Sequence, residues 1–524
     1  MKRTIINIGC FVLLLAGVTS CSKTIKDDYV DPDKSTTGYV SKLFTGMLMN
    51  DRIRPTYWDY ATFITGVTGK YSQFLGNVTG SQMYVPSIGY NQDRWNSYYT
   101  NGIVNQYREM QKNFDKLSSA QQQEQYVYLQ IAKVIYYDQT AQMVDLWGDI
   151  PFSEAGALNL TTTVATPKFD DASAIYDTIV NSLKTLNTYF ASTTLSSTAK
   201  KDLSIQDILL GGDLSKWRRY ANSLRLRLLL RISNVKETSA QAAVTEMLND
   251  PTTYPLVDDN TNDILLNMNP PVTAFSSEGM RDGLSDGATS SGPIAPKYLM
   301  EDVMVANNDP RIEVFWNPGV DGYKGLPIDI NTTDQESLIS NHKVATVDSG
   351  TFVMNRNVPG VLVTAAEVSF LKAEAYERWG LGNAQTAYEA GIRQSIAFYY
   401  SINQAAVFSG YSKASVPTPS SSTVDAYIAG AGIAYTGTSA EKLQKIGIQK
   451  WINYFILQAG QAWAEIRRTG YPVLTFANDP SFTSALQPPK RLLYPTTEKT
   501  YNATNYAKVS SKDTRDAKVF WEVN

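Results

Sequence analysis

The sequence predicts an all-α protein: one compact helical body, residues 38–524, with long irregular insertions. From about Gly38 onward apolar residues recur at i, i+3, i+4 and i+7, the period of a helix that buries one face. Apolar residues make up 43% of the 524 and charged residues 19%, so burial can offset the entropy of ordering the chain. No linker separates two composition regimes, which favours a single body over separate domains.

Residues 1–20 read as a signal peptide. Lys2 and Arg3 precede an apolar run from Ile5 to Val18, shorter than the roughly 20 residues that span a bilayer, so the run is expected to be cleaved. Cys21 follows Val18, Thr19 and Ser20, a pattern similar to the bacterial lipobox, whose cysteine is acylated and becomes residue one. Cys10 leaves with the signal, so the mature chain would hold no free thiol and no disulfide. Residues 21–37, charged, with Pro32 and no apolar period, are expected to form a flexible tether.

Three segments of the first half have the helical period: roughly 121 to 144, 171 to 190 and 214 to 232. Gly148 and Pro151 close the chain after the first of these, with Asp145 and Asp149 as turn or cap carboxylates. In the third, Trp217, Ala221, Leu224 and Leu228 form one stripe, which leaves Arg225, Arg227 and Arg231 to ion pairs along its flanks. The clearest helix starts at Thr364. Thr364 and Glu367 have capping-box spacing, Val368, Leu371, Ala375 and Trp379 follow at helical intervals, and Gly380 sits where a left-handed C-cap is needed. Ala384, Ala387, Tyr388, Gly391, Ile392 and Ile396 begin a second helix almost at once. So short a loop forces antiparallel packing, as in a tetratricopeptide hairpin, and other helices must stack on the pair to cover its apolar faces. A last long helix, about 441 to 468, carries Trp451, Phe455, Trp463 and Ile466 and stops at Gly470 and Pro472. Residues 250–360 and 409–440 are irregular, the kind of loop that often holds function.

Composition restricts the chemistry. With 47 Lys plus Arg against 50 Asp plus Glu, and no basic block, nucleic acid is excluded as a partner. One His and two Cys leave little for zinc sites, thiol nucleophiles or acid/base relays, so no catalytic residue, metal ligand or cofactor is assigned. Gly283-Leu284-Ser285-Asp286-Gly287 fits the nucleophile-elbow pattern, but polar, Gly-rich and Ser-rich sequence stands where a buried strand and a helix are required. Asp258, Asn260 and Asn262 begin like a calcium loop. Asp263 and Asn269 then replace its glycine and its bidentate Glu, which leaves room for no more than a looser structural calcium ion.

Seven motifs stand in order: DLWGDIPFSEA from Asp145, WRRYANSLRLRLLLRIS from Trp217, DPRIEVFW from Asp309, AAEVSFLKAEAYERWG from Ala365, IQKW from Ile448, WAEIRRTGYP from Trp463 and RLLYP from Arg491. Together they resemble the SusD/RagB family of nutrient-binding outer-membrane lipoproteins, its second SusD-like branch in particular. Lys26-Asp27-Asp28 is similar to the signal that sends such lipoproteins to the outer face of the outer membrane. The resemblance implies a SusD-like helical body, lipid-anchored through Cys21. It implies no bond chemistry, and delivery of nutrient oligomers, glycan before peptide, to a TonB-dependent SusC-like transporter. The alternatives are a surface glycoside hydrolase using a carboxylate pair and a surface adhesin.

The 59 Tyr, Trp and Phe rings suit a carbohydrate site, where an apolar face must lie beside hydrogen-bonding groups. Two stretches have that mixture. Tyr57, Trp58, Tyr84, Tyr90, Asn91 and Trp95 form the first, and Trp316 and Tyr323 mark the second, on a loop after the Asp309-Pro310-Arg311 motif. Trp95, Tyr99 and Ile103 also have helical spacing, which suits a core position for Trp95.

Overall fold

The computed structural model describes residues 38–100, 102–161, 166–267, 280, 282–284, 293–408, 410–482 and 486–523. The signal peptide, Cys21 and the tether lie outside these residues, as do Ser285 and Asn269. The helices that position the site are α1 (Val40–Leu48), α2 (Ile88–Tyr99), α3 (Ile103–Phe114), α4 (Ser119–Trp147), α5 (Ala172–Ser192), α6 (Leu214–Ile232), α7 (Ala365–Trp379), α8 (Ala384–Gln404), α9 (Ser439–Tyr454) and α10 (Ala459–Thr469). Strands among the described residues are confined to short antiparallel pairs, such as Ile264–Leu266 with Gly360–Val363. No described helix is long and apolar enough to cross a membrane.

Helices adjacent in sequence pack side by side: α3 on α4, α5 on α6, α7 on α8, and α9 on α10. Thr364 caps α7 by accepting from the Glu367 N–H, and Gly380 ends it at φ +67°. The Glu367 carboxylate does not complete a capping box; it binds Arg227 of α6 at 2.5 Å instead. Two faces of α7 serve two cores. Ala365, Val368, Leu371 and Ala375 pack with α4, α5 and α6, whereas Ala366, Phe370 and Ala373 pack with α8 and α9.

Between the two cores runs a buried ionic line. Arg227 meets Asp138 and Glu367, and Arg231 meets Asp145 and Glu465. Arg468 and Lys450 both bridge Glu374 and Glu465. Asp145 is therefore a network hub, not a cap: it also accepts from Tyr176 at 2.5 Å and Trp521 at 2.9 Å. Arg225 departs from its expected ion pair. Buried, it faces the Tyr254 ring at 5.9 Å and feels the Glu246 charge without forming an ion pair among the described residues.

The expected helix over 441 to 468 is two helices. At Phe455 the backbone takes φ +36°, a short 3-10 segment follows to Gln458, and α10 restarts at Ala459. Aromatic packing outweighs helical continuity there. The Phe455 ring stacks on Phe315 at 4.3 Å and meets Trp316 edge-on at 5.2 Å, while the bend lets Glu465 and Arg468 reach the ionic line.

Candidate functional site

Thr56 and Tyr57 start a helical turn that leads into a wide helix, Asp59–Thr68, and Trp58 stands at its entrance with 62% of its surface exposed. The Thr62 hydroxyl donates to the Trp58 carbonyl at 2.6 Å, which fixes the turn. The Tyr57 ring meets Trp58 edge to face, centroids 4.9 Å apart, and props the indole. Residue 58 is thus a ring held outward by its neighbours.

Tyr90, 47% exposed, and Ile88 lie in the first turn of α2. One turn further on, Arg94 donates to Asp59 at 2.5 Å and lies 4.3 Å over the Phe63 ring. That nearly buried pair ties the residue after Trp58 to the turn after Tyr90, so the two exposed rings stand on elements that are braced against each other. Asn91 serves the brace: its Nδ2 donates to the Leu493 carbonyl at 2.6 Å, on which the Trp147 indole N–H also converges. Gly283 abuts the Tyr57 carbonyl so closely that a Cβ would stand 2.6 Å from it.

Three of the expected ligand residues are buried in the core. Trp95, 2% exposed, packs on Trp147 and Tyr494. Tyr84, 2% exposed, donates to the Ala477 carbonyl. Trp316, 1% exposed, lies under Phe455 with its N–H on the Met304 sulfur. Segments distant in the chain bury these rings, which local sequence does not reveal. Tyr323 is half-buried against the second core. The Asp59–Arg94 bridge therefore ties the Tyr57–Trp58 turn to the helix that carries Tyr90 and Asn91, and the second stretch is left without an open aromatic platform.

A cavity of about 340 Å³ has Tyr84 in its wall, and the sequence pointed to none of its other lining residues. Lys70, Gln73, Tyr298, Ile328, Val473 and Phe476 line it, a mixture of apolar faces and polar tips. Its residues come from four distant segments, so no spacing signals it. The calcium-like loop is occupied by its own protein contacts: Asp258 pairs with Arg219 at 2.9 Å, Asp259 accepts from the Thr261 N–H, and Asp263 accepts from the Ala365 N–H. Among the described residues no group of three or more His, Cys, Asp or Glu is placed to hold a metal ion.

Solved structures share this fold. A chitin-binding protein is 24% identical with a TM-score of 0.71, covering 92% of this chain and 99% of its own. A chitin-binding SusD homolog from Flavobacterium johnsoniae is 21% identical with a TM-score of 0.72, covering 93% and 99%. A SusD homolog from Parabacteroides distasonis is 20% identical with a TM-score of 0.70, covering 93% and 98%. No curated protein matches the sequence. The family profile described as starch-binding, associating with outer membrane, matches residues 38–495, and the chain belongs to that SusD-like_2 family.

Proposed function

We propose that this protein binds oligosaccharides without cutting them and hands them to a SusC-like TonB-dependent transporter, held at the outer membrane by a lipid on Cys21. The observation that carries the reading is that two exposed rings, Trp58 and Tyr90, stand on elements tied together by the Asp59–Arg94 bridge. Sugar C–H faces lie on such rings while nearby amides and hydroxyls take the polar edges. The family's starch-binding description and the two chitin-binding structures favour glycan over peptide.

Calorimetric titration of the mature protein with chito- and malto-oligosaccharides tests it. Trp58→Ala is expected to weaken binding by about 1–3 kcal/mol, by analogy with bases stacked on aromatic rings, or roughly fivefold to 150-fold. Tyr298→Ala, in the separate cavity, is expected to leave affinity unchanged. If Trp58→Ala and Tyr90→Ala both bind like the parent, the surface is misassigned. New reducing ends on incubation with polysaccharide would instead favour a hydrolase, and co-purification of a large outer-membrane barrel would support the delivery role.

A further inference from the structure

The wide helix that begins beside Trp58 runs on to Tyr71, and the 340 Å³ cavity stands at that far end. Hydrogen bonds frame the space. The Gln73 carboxamide donates to the Thr475 carbonyl and the Tyr84 hydroxyl to the Ala477 carbonyl, which ties two lining segments together. The remaining wall is fixed by the backbone, where the Lys297 N–H donates to the Leu326 carbonyl at 3.1 Å. Gln73 makes its bond from a left-handed backbone, φ +50°, which is uncommon for a residue with a side chain. Strain of that kind persists only where the surroundings impose it, and it gathers at ligand sites.

The lining is mainly apolar. Met83, Tyr298, Ile328, Val473 and Phe476 all contribute, and Val473 and Ile328 remain 67% and 38% exposed. Apolar side chains left in water beside a cavity, with a few polar groups converging on it, are the pattern of a small-molecule site. Lys70 supplies the polar end. Its ammonium donates to the Met83 carbonyl at 3.2 Å and has no second acceptor within hydrogen-bond distance among the described residues. Burial pulls that ammonium down, although the Asp479 charge opposes the shift. Charge calls for no ion here. Two lining cations, Lys70 and Lys297, stand with two lining carboxylates, Asp302 and Asp329, and Lys297 already pairs with Asp302 at 2.8 Å.

We propose that this cavity binds one neutral aromatic group bearing a carbonyl, its ring among Tyr298, Phe476 and Met83 and its oxygen on the Lys70 ammonium. Aromatic faces and a thioether attract a ring beyond what buried area alone supplies. An ammonium with N–H groups to spare is a strong donor to a carbonyl oxygen. A carboxylate in its place would meet the lining Asp302 and Asp329. The volume equals that of about eleven waters at ~30 Å³ each, room for a substituted ring and too little for a chain of several sugars. The inference stands whatever the Trp58 surface binds.

Ligand-observed NMR titration of the mature protein with benzamide is expected to give saturable binding with a Kd on the order of 1 mM, the range open to so small a ligand. Cyclohexanecarboxamide, which keeps the carbonyl and loses the ring, and benzoate, which adds a charge, should each bind at least about threefold more weakly. Lys70→Met keeps the stem and removes the donors, and should cost about tenfold. Trp58→Ala should leave benzamide binding unchanged. Should Lys70→Met not fold, parent crystals soaked in 4-bromobenzamide are expected to give a bromine anomalous peak inside the cavity. No saturable binding of benzamide, equal or tighter binding of either analogue, undiminished binding in folded Lys70→Met, loss of binding in Trp58→Ala, or a bromine peak elsewhere overturns the proposal.

Discussion

Asp263 accepts the Ala365 N–H at 2.6 Å at the start of α7, from a position where burial pushes its carboxyl up to about 7 despite that bond. In the unfolded chain the same group loses its proton near pH 4. Between pH 4 and 7 the folded state therefore holds more protons, and its stability falls as pH rises, by up to about 1.4 kcal/mol per unit. Asp263→Asn keeps an acceptor for Ala365 and removes the titration. Urea unfolding is expected to show the variant gaining on the parent from pH 5 to 8; a constant difference would contradict the assignment. Trp58 and Trp316 illustrate the same dependence on surroundings. Both looked like platforms in the sequence, yet one is propped outward by Tyr57 and the other covered by Phe455. Residue type announced aromatic function; only the neighbours from distant segments decided which ring meets solvent.

Helices α7 and α8 approach at Gly391, where a Cβ would stand 2.6 Å from the buried Phe370 ring. Alanine normally improves a helix interior by about 1 kcal/mol over glycine. Here the ring has nowhere to go, so Gly391→Ala is expected to destabilise by about 1–3 kcal/mol, the range of core overpacking. A midpoint shift in chemical denaturation at unchanged m checks it, and a stabilised variant would refute the close packing. The hairpin itself was legible because its signals are local: Thr364 at the N-cap, Gly380 at φ +67°, and the apolar period between them. The break at Phe455 was not legible. Nothing in residues 441–468 forbids a continuous helix, and the turn is imposed by Phe315, Trp316 and the carboxylates that α10 must reach.

The two large apolar cores are joined by a charged seam, and Glu374 is a keystone of that seam. It takes both Arg468 nitrogens at 2.7 Å and Lys450 at 3.1 Å. Burial alone would raise the Glu374 carboxyl, but Arg468 and Lys450 outweigh it and hold it below the usual range. Its contribution is thus present above about pH 4.5 and lost as pH falls through that low value. Glu374→Gln leaves two buried cations sharing Glu465. A loss of about 3–5 kcal/mol is expected in urea unfolding at pH 7, shrinking as the pH is lowered, and a loss that stayed constant down to acid pH would count against the seam. The acidic and basic motifs of this seam, DLWGD, LRLRLLLRIS, AEVSFLKAE and WAEIRR, stand far apart in the chain, so the sequence suggested ion pairs without saying which carboxylate meets which cation. By itself the sequence determined what depends on neighbours in the chain: the helical class, the caps, the hairpin and the family to which the motifs point. Which rings face solvent, where a helix breaks, and how four distant segments come to wall one cavity were decided only by tertiary structure, because burial and charge pairing are set by segments hundreds of residues apart.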